Sequence, residues 1–364
     1  MEDSTRRTFM GTSKLQSLVM GDLVARMPIV QGGMGVGISL SGLAAATANA
    51  GGVGVIAAAG IGLLEPDGFK DFLGANIRAL QREIRKARSM TQGVLGVNIM
   101  VALTNFADMV RTAIEEKIDI IFSGAGLPVN LPEFLTPGAK TKLVPIVSSG
   151  RAAALLARRW LDKYNYLVDA FVVEGPKAGG HLGFKAEQLE DPAFALEKLV
   201  PEVLEAVRPF EEKTGKKIPV IAGGGIYTAA DIRRFLDMGA SGVQMATRFV
   251  ATEECDASPA FKATYVAAGE GDLAIIKSPV GMPGRAVKNR FLEDVAAGKK
   301  KPFTCPYHCI VTCDYEKAPY CISLALLNAQ KGNLDKGFAF AGANAWRTEK
   351  IVSVKELMEE LSGE

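Results

Sequence analysis

The chain has 364 residues and only two histidines. One of them, His181, closes the glycine-rich run EGPKAGGHLG at 174–183. An imidazole changes charge near neutral pH, so it can take or give a proton where other side chains cannot. Gly179 and Gly180 just before it present bare backbone, against which a ligand can lie. The competing reading is a loop histidine bonded to nearby backbone. The run follows the end of an expected strand, which favours the ligand-facing reading.

A second signal is AGGGI at 222–226, followed by a helix start at Thr228. Glycines let backbone N–H groups close on an anion, and a helix N-terminus adds partial positive charge. Gly223, Gly224 and Gly225 therefore form a candidate phosphate cradle, or else a tight turn with unusual φ angles. Other polar candidates stand where apolar runs end: Gln31 in QGGMG, Asn98 in GVNIM, Ser123 in SGAG and Gln244 in QMATRF. Each can hydrogen-bond a bound ring or ribityl-like chain, or serve as a turn residue. Glu174 closes an apolar run, whereas Lys177 in the same loop can be a solvated charge.

These residues need elements to position them. Eight short apolar runs recur: PIVQG (28–32), GVGVIA (52–57), VLGVNIM (94–100), DIIFSG (119–124), LVPIVS (143–148), DAFVVE (169–174), IPVIAG (218–223) and GVQMAT (242–247). They are apolar on both faces, as strands of a covered parallel sheet are. Segments with helical spacing lie between them, at 105–117, 152–164 and 228–240. The last of these has Thr228 as N-cap and Gly239 just past its end. The alternation predicts an α/β fold, and its count predicts a (β/α)8 TIM barrel rather than an open doubly wound sheet. In such a barrel the loops after the strands carry the active site, and anions bind after strands seven and eight. AGGGI falls there.

The expected organisation is a barrel over 1–248, with a polar leader at 1–21. A lid-like excursion over 249–320 covers one mouth, and closing helices fill 321–364. Lys plus Arg number 42 against 40 for Asp plus Glu. That balance gives no electrostatic reason to expect nucleic acid or an anionic membrane as partner. The apolar stretch 43–64 contains Asn49 and several glycines and reads as strand and turn rather than a membrane span. No signal peptide is visible, so a soluble cytoplasmic enzyme is expected. Leucine-rich terminal helices permit a homodimer without demanding one.

Taken together, PIVQGGMG, GVNIM, EGPKAGGHLG, IPVIAGGGI and GVQMATRF resemble the FMN-dependent nitronate monooxygenase family, formerly 2-nitropropane dioxygenases. The same blocks are shared with FMN-dependent enoyl-ACP reductases of the FabK type. The resemblance covers roughly 20–295, including the R-F-x-A-T-x-E and G-x-x-x-R-A-x-x-N-x-F segments at 248–254 and 281–291. It implies a barrel flavoprotein in which Gly33 and Met34 lie along the flavin and Asn98 bonds its ring. Gly180, Gly223, Gly224, Gly225 and the backbone of Met245 to Thr247 would hold the phosphate region, with Gly179 also in the cofactor set. Ser123, Glu174 and Gln244 complete the expected cofactor set. His181 matches the family's active-site histidine, the base that removes the α-proton of a nitroalkane. In the reductase alternative the flavin takes hydride from NAD(P)H and passes it to an enoyl thioester. A non-catalytic flavin-binding redox subunit is a third reading.

One segment departs from the family blocks. Cys305, Cys309, Cys313 and Cys321 stand in CPYHCIVTCDYEKAPYC, spaced C-x3-C-x3-C-x7-C with His308 between the first two. Four neighbouring thiolates can hold an iron–sulfur cluster or zinc, although this spacing matches no standard pattern for either. Reduced, partly buried thiols near a lid are the alternative. A cluster here would favour electron transfer to an organic acceptor over oxygen consumption.

Overall fold

A computed structural model of the chain describes residues 15–299 and 303–363. The chain enters as a hairpin, β1 (Leu18–Met20) and β2 (Leu23–Ala25). Barrel strands follow as β3 (Ile29–Gln31), β4 (Val53–Ala57), β5 (Val94–Met100), β6 (Ile120–Gly124), β7 (Lys142–Val147) and β8 (Phe171–Glu174). A two-residue strand, β9 (Gly180–His181), lies in the loop after β8, and β10 (Val220–Gly223) and β11 (Gly242–Met245) complete the barrel. The eight barrel strands close in the order β10-β11-β3-β4-β5-β6-β7-β8, and β8 pairs in parallel with β10. All eight expected runs are strands, and the expected (β/α)8 closure is present.

Helices cover the outside because each offers one apolar stripe. The helix Phe106–Glu115 buries Met109, Val110, Ala113 and Ile114. The helix Gly150–Tyr164 buries Leu156 and Trp160, and its N-cap Ser149 accepts the Ala152 N–H. Thr228 and Asp231 form a capping box at the helix Ala229–Asp237, which ends at Gly239 with φ of 100°.

The leader expected at 1–21 needs correction. Residues 1–14 lie outside the described part, but Leu18 and Met20 are fully buried. They pack in one cluster with the barrel-lining Val30, Val55, Phe122, Val144, Val172 and Ile221. The hairpin therefore plugs the N-terminal mouth, with Val19 and Val24 facing outward.

Past the barrel, β12 (Leu273–Lys277) and β13 (Pro283–Val287) form a hairpin, and β13 adds β9 to make a three-stranded sheet. Its register sets Gly284 opposite His181 and Arg285 opposite Gly180. The cysteine-rich segment is tied to the loop after β5 by the Leu103–Ile310 bridge and the Val311 N–H to Ala102 carbonyl bond. The stretch 43–64 holds a helix end, β4 and a short 3-10 turn. No helix among the described residues is long and apolar enough to cross a membrane.

Candidate active site

A cavity of about 680 Å³ opens where the barrel strands end. Its volume is in the range of small-molecule and cofactor sites. The inner wall is largely backbone. Gly33 crosses directly over Asn98, and a Cβ there would sit 2.4 Å from the Asn98 Cβ. Only glycine permits that approach, and it leaves the Asn98 amide on the cavity wall. Among the described residues, the side-chain amides of Asn98 and Gln244 have no hydrogen-bond partner. Both are free to bond a ligand. Met34 is half-buried beside them, its N–H held by Ser39 Oγ at 2.9 Å.

The glycine turn after β10 has the form expected of an anion cradle. Gly224 and Gly225 have φ of 101° and 83°. Among the described residues, the N–H groups of Gly224, Gly225 and Ile226 find no protein acceptor. Asn344 Nδ2 fixes the turn from behind by donating to the Gly225 carbonyl at 2.6 Å. The Gly342 N–H donates to Thr247 Oγ1 at 3.0 Å, placing the start of the next loop. The stem of Lys177 lies against Gly225, and Lys177 forms no ion pair among the described residues. Gly179, Gly180, Met245 and Thr247 also line this end.

His181 stands between the two ends, half-buried. Its Nε2 lies 2.7 Å from Ser278 Oγ, and its ring meets Phe340 edge-on at 5.0 Å. Burial pushes its pKa down to about 4. The imidazole is therefore neutral at pH 7, with one nitrogen able to accept a proton. Glu174, at the end of β8, lines the same cavity. Burial pushes its carboxyl up to about 7, so it titrates near neutrality.

Three of the sequence candidates lie off the cavity wall. Ser123 is fully buried, its Oγ donates to the Ile99 carbonyl at 3.0 Å, and it is not on the cavity wall. Gly223 lies within β10, in register with Glu174 and Gln244, and the wall begins one residue later at Gly224. Gln31 is buried and ties β3 to β4, donating to the Gly32 carbonyl at 2.6 Å and accepting the Val55 N–H at 2.9 Å.

The cysteine segment is open to two readings, a metal cluster or reduced, partly buried thiols. Among the described residues, no group of three or more His, Cys, Asp or Glu is placed to hold a metal. Local partners engage the thiols instead. Cys309 Sγ lies 3.2 Å from Ser323 Oγ, Cys305 Sγ accepts the His308 N–H at 3.3 Å, and His308 Nε2 turns to the Cys313 carbonyl. Burial raises the Cys309 thiol to about 11 and raises Cys313 and Cys321 as well. Cys309, with Ile310, Ile322 and Leu326, forms part of the cavity wall that also carries Phe184 and Phe194.

Sequence reasoning missed Ser278, Phe340 and Gly342, which lie far from His181 or Thr247 along the chain. Ser278, for example, is 97 residues from His181. Only the β9–β13 pairing brings the first of them to the site.

The wall thus offers unpaired amides for a polar ring edge, a glycine-lined floor and an anion cradle beside a lysine. That donor set fits a flavin mononucleotide, with Asn98 and Gln244 toward the ring and Gly224 to Ile226 and Lys177 toward the phosphate.

Residues 17–364 match a family model described as nitronate monooxygenase. A (3aS,4S,5R,7aS)-5-hydroxy-7a-methyl-1-oxo-octahydro-1H-indene-4-carboxyl-CoA dehydrogenase of Mycobacterium tuberculosis is 30% identical over 274 residues, covering 75% of this chain and 66% of that protein. The chain therefore spans slightly less than two thirds of that relative's length. A probable nitronate monooxygenase of Bacillus subtilis is 26% identical over 376 residues, covering 93% of this chain and 95% of the relative. The solved structure of FabK from Thermotoga maritima superposes with a TM-score of 0.70 at 28% identity, covering 92% and 91% of the two chains.

Proposed function

The chain belongs to the nitronate monooxygenase family of oxidoreductases, and from that premise we propose that it binds FMN and oxidises alkyl nitronates and nitroalkanes with His181 as base. The observation that carries this reading is a neutral imidazole on the wall of a cavity that also holds unpaired amides and an anion cradle. When bound, FMN supplies the redox chemistry. The chain supplies position and proton control.

A nitroalkane carries an acidic α C–H. One imidazole nitrogen of His181 takes that proton and the substrate becomes an anionic nitronate. The Ser278 hydroxyl bonds Nε2 and fixes the ring's orientation. A buried imidazolium is costly, and the nitronate formed in the same step offsets that cost by its opposite charge. Nitronates arrive without the α-proton and depend less on His181. The Asn98 and Gln244 amides orient the ring, and the apolar outer wall excludes water from the reacting carbon.

A second reading, NAD(P)H-dependent reduction of an enoyl thioester, draws on the apolar residues of the outer wall and on the likeness to FabK and to a carboxyl-CoA dehydrogenase. The discriminating experiment measures oxygen uptake with ethyl nitronate and nitroethane, and NAD(P)H oxidation with crotonyl thioester, on the same FMN-loaded preparation. Oxygen uptake with loss of nitroethane turnover in H181A supports the first reading. Thioester-dependent NAD(P)H oxidation with no nitronate turnover replaces it with the second.

A further inference from the structure

Arg285 lies on β13 behind the cavity wall and is 5% exposed. Its Nη1 donates to the carbonyls of Pro176 and Ala178, each at 2.7 Å. Among the described residues no carboxylate lies within ion-pair distance of it. A buried guanidinium without a counter-ion in contact is destabilising; here two carbonyl dipoles meet the charge directly, and Glu190 acts on it only from beyond ion-pair distance. A trans peptide is planar with its N–H opposite its C=O, and the chain has no cis bond among its described residues. The two carbonyls held by Arg285 therefore turn the N–H groups of Lys177 and Gly179 away from it. Both residues line the cavity, and neither N–H has a protein acceptor among the described residues.

The rest of this loop is tied down. The Ala178 N–H returns to the Gly175 carbonyl at 3.2 Å, and the Ala343 N–H holds the Lys177 carbonyl at 3.0 Å. The loop packs against the glycine turn so closely that a Cβ on Gly224 would meet the Gly175 carbonyl oxygen at 2.9 Å and Ala178 N at 3.1 Å. Its two unused donors thus sit next to the unused donors of Gly224 to Ile226.

We propose that Arg285 is a positioning residue for the phosphate of the bound flavin nucleotide, holding the 176–177 and 178–179 peptide planes so that their N–H groups and its own buried charge favour the anion. This rests on the flavin reading above. The phosphate dependence separates it from a merely structural role, because riboflavin shares the ring and ribityl chain but lacks the phosphate.

The test titrates FMN and riboflavin into full-length protein stripped of flavin, for wild type, R285K and R285M, with a thermal melt of each. Wild type is expected to prefer FMN. In R285M that preference falls about tenfold or more, as expected for losing charge-assisted bonds, while riboflavin affinity stays within about threefold. R285K keeps a cation but not the fixed fork, and retains an intermediate preference. If R285M does not fold, R285K alone decides: a reduced preference supports the role and an unchanged one overturns it. Equal loss of both flavins in a folded variant also overturns it and leaves the flavin reading standing. Wild-type protein that binds neither flavin overturns both.

Discussion

At the inner end of the cavity the wall is backbone: Gly33, Gly224 and Gly225, with N–H groups that find no protein acceptor among the described residues. At the outer end it is side chains: Phe184 and Phe194 from the loop after β8, and Ile310, Ile322 and Leu326 from the segment after the barrel. The inner end is set by chain conformation, so it tolerates little added volume and discriminates little among substrates. The outer end is set by side-chain size, so it can change specificity without disturbing whatever the inner end holds. Ile310, and Cys309 beside it, belong to the segment that departs from the family blocks.

The largest expected effect belongs to the residue between the two ends. H181A should lower turnover of neutral nitroalkanes by roughly 10²- to 10⁴-fold, the usual scale for a lost general base. Nitronate turnover should fall much less and FMN should remain bound. Equal losses on both substrates would assign His181 to binding rather than to proton removal.

Next comes a direct attack on the inner end. G225V places a branched side chain at φ of 83° with its Cβ 2.8 Å from the Lys177 Cβ. FMN affinity should drop roughly ten- to a hundredfold, the cost of strain at such a position, as read by flavin fluorescence. At the outer end, F194A should raise KM for a long-chain substrate by about tenfold and leave FMN affinity unchanged within twofold. A reversed pattern, with F194A losing flavin and G225V keeping it, would collapse the distinction between the ends.

The smallest effect is a pH signature in the flavin-free protein. His181 has its pKa lowered from 6.5 to about 4. Between those values the unfolded chain binds the extra proton, so this group makes stability rise with pH and lost as pH falls. Glu174 has its pKa raised from 4.5 to about 7. There the native state binds the extra proton, so this group makes stability fall as pH rises. Across the overlap, from 4.5 to 6.5, the two slopes oppose each other. Thermal melts should show E174Q gaining stability with rising pH in this window and H181Q losing it, by a few kcal/mol at most. Parallel slopes in the two variants would show that burial does not act on them as described.

The barrel was legible because each strand is a short apolar run with glycine or proline at its ends, and because period alone separates strands from the amphipathic helices. The plug was legible in principle. LVM-Gly-Asp-LVA places glycine first in a two-residue hairpin loop, and Gly21 has φ of 61°. The polar residues around it hid the signal. For the site, residue type pointed to His181, Asn98, Gln244 and the glycine turn, all of which line the cavity. It could not show that the strand position of Ser123 turns the hydroxyl to the neighbouring strand. Arg285, Ser278 and Asn344 were out of reach, since their roles come from a sheet and a returning segment that join distant parts of the chain. The cysteines were judged by spacing, whereas sulfur placement decides ligation, and here the sulfurs face local partners.

The most direct test is the visible absorption spectrum of the protein as purified, or after incubation with FMN, once gel filtration has removed free ligand. The account predicts two flavin bands that travel with the protein. A colourless protein that FMN cannot reconstitute would contradict it and return His181 to the status of a loop histidine.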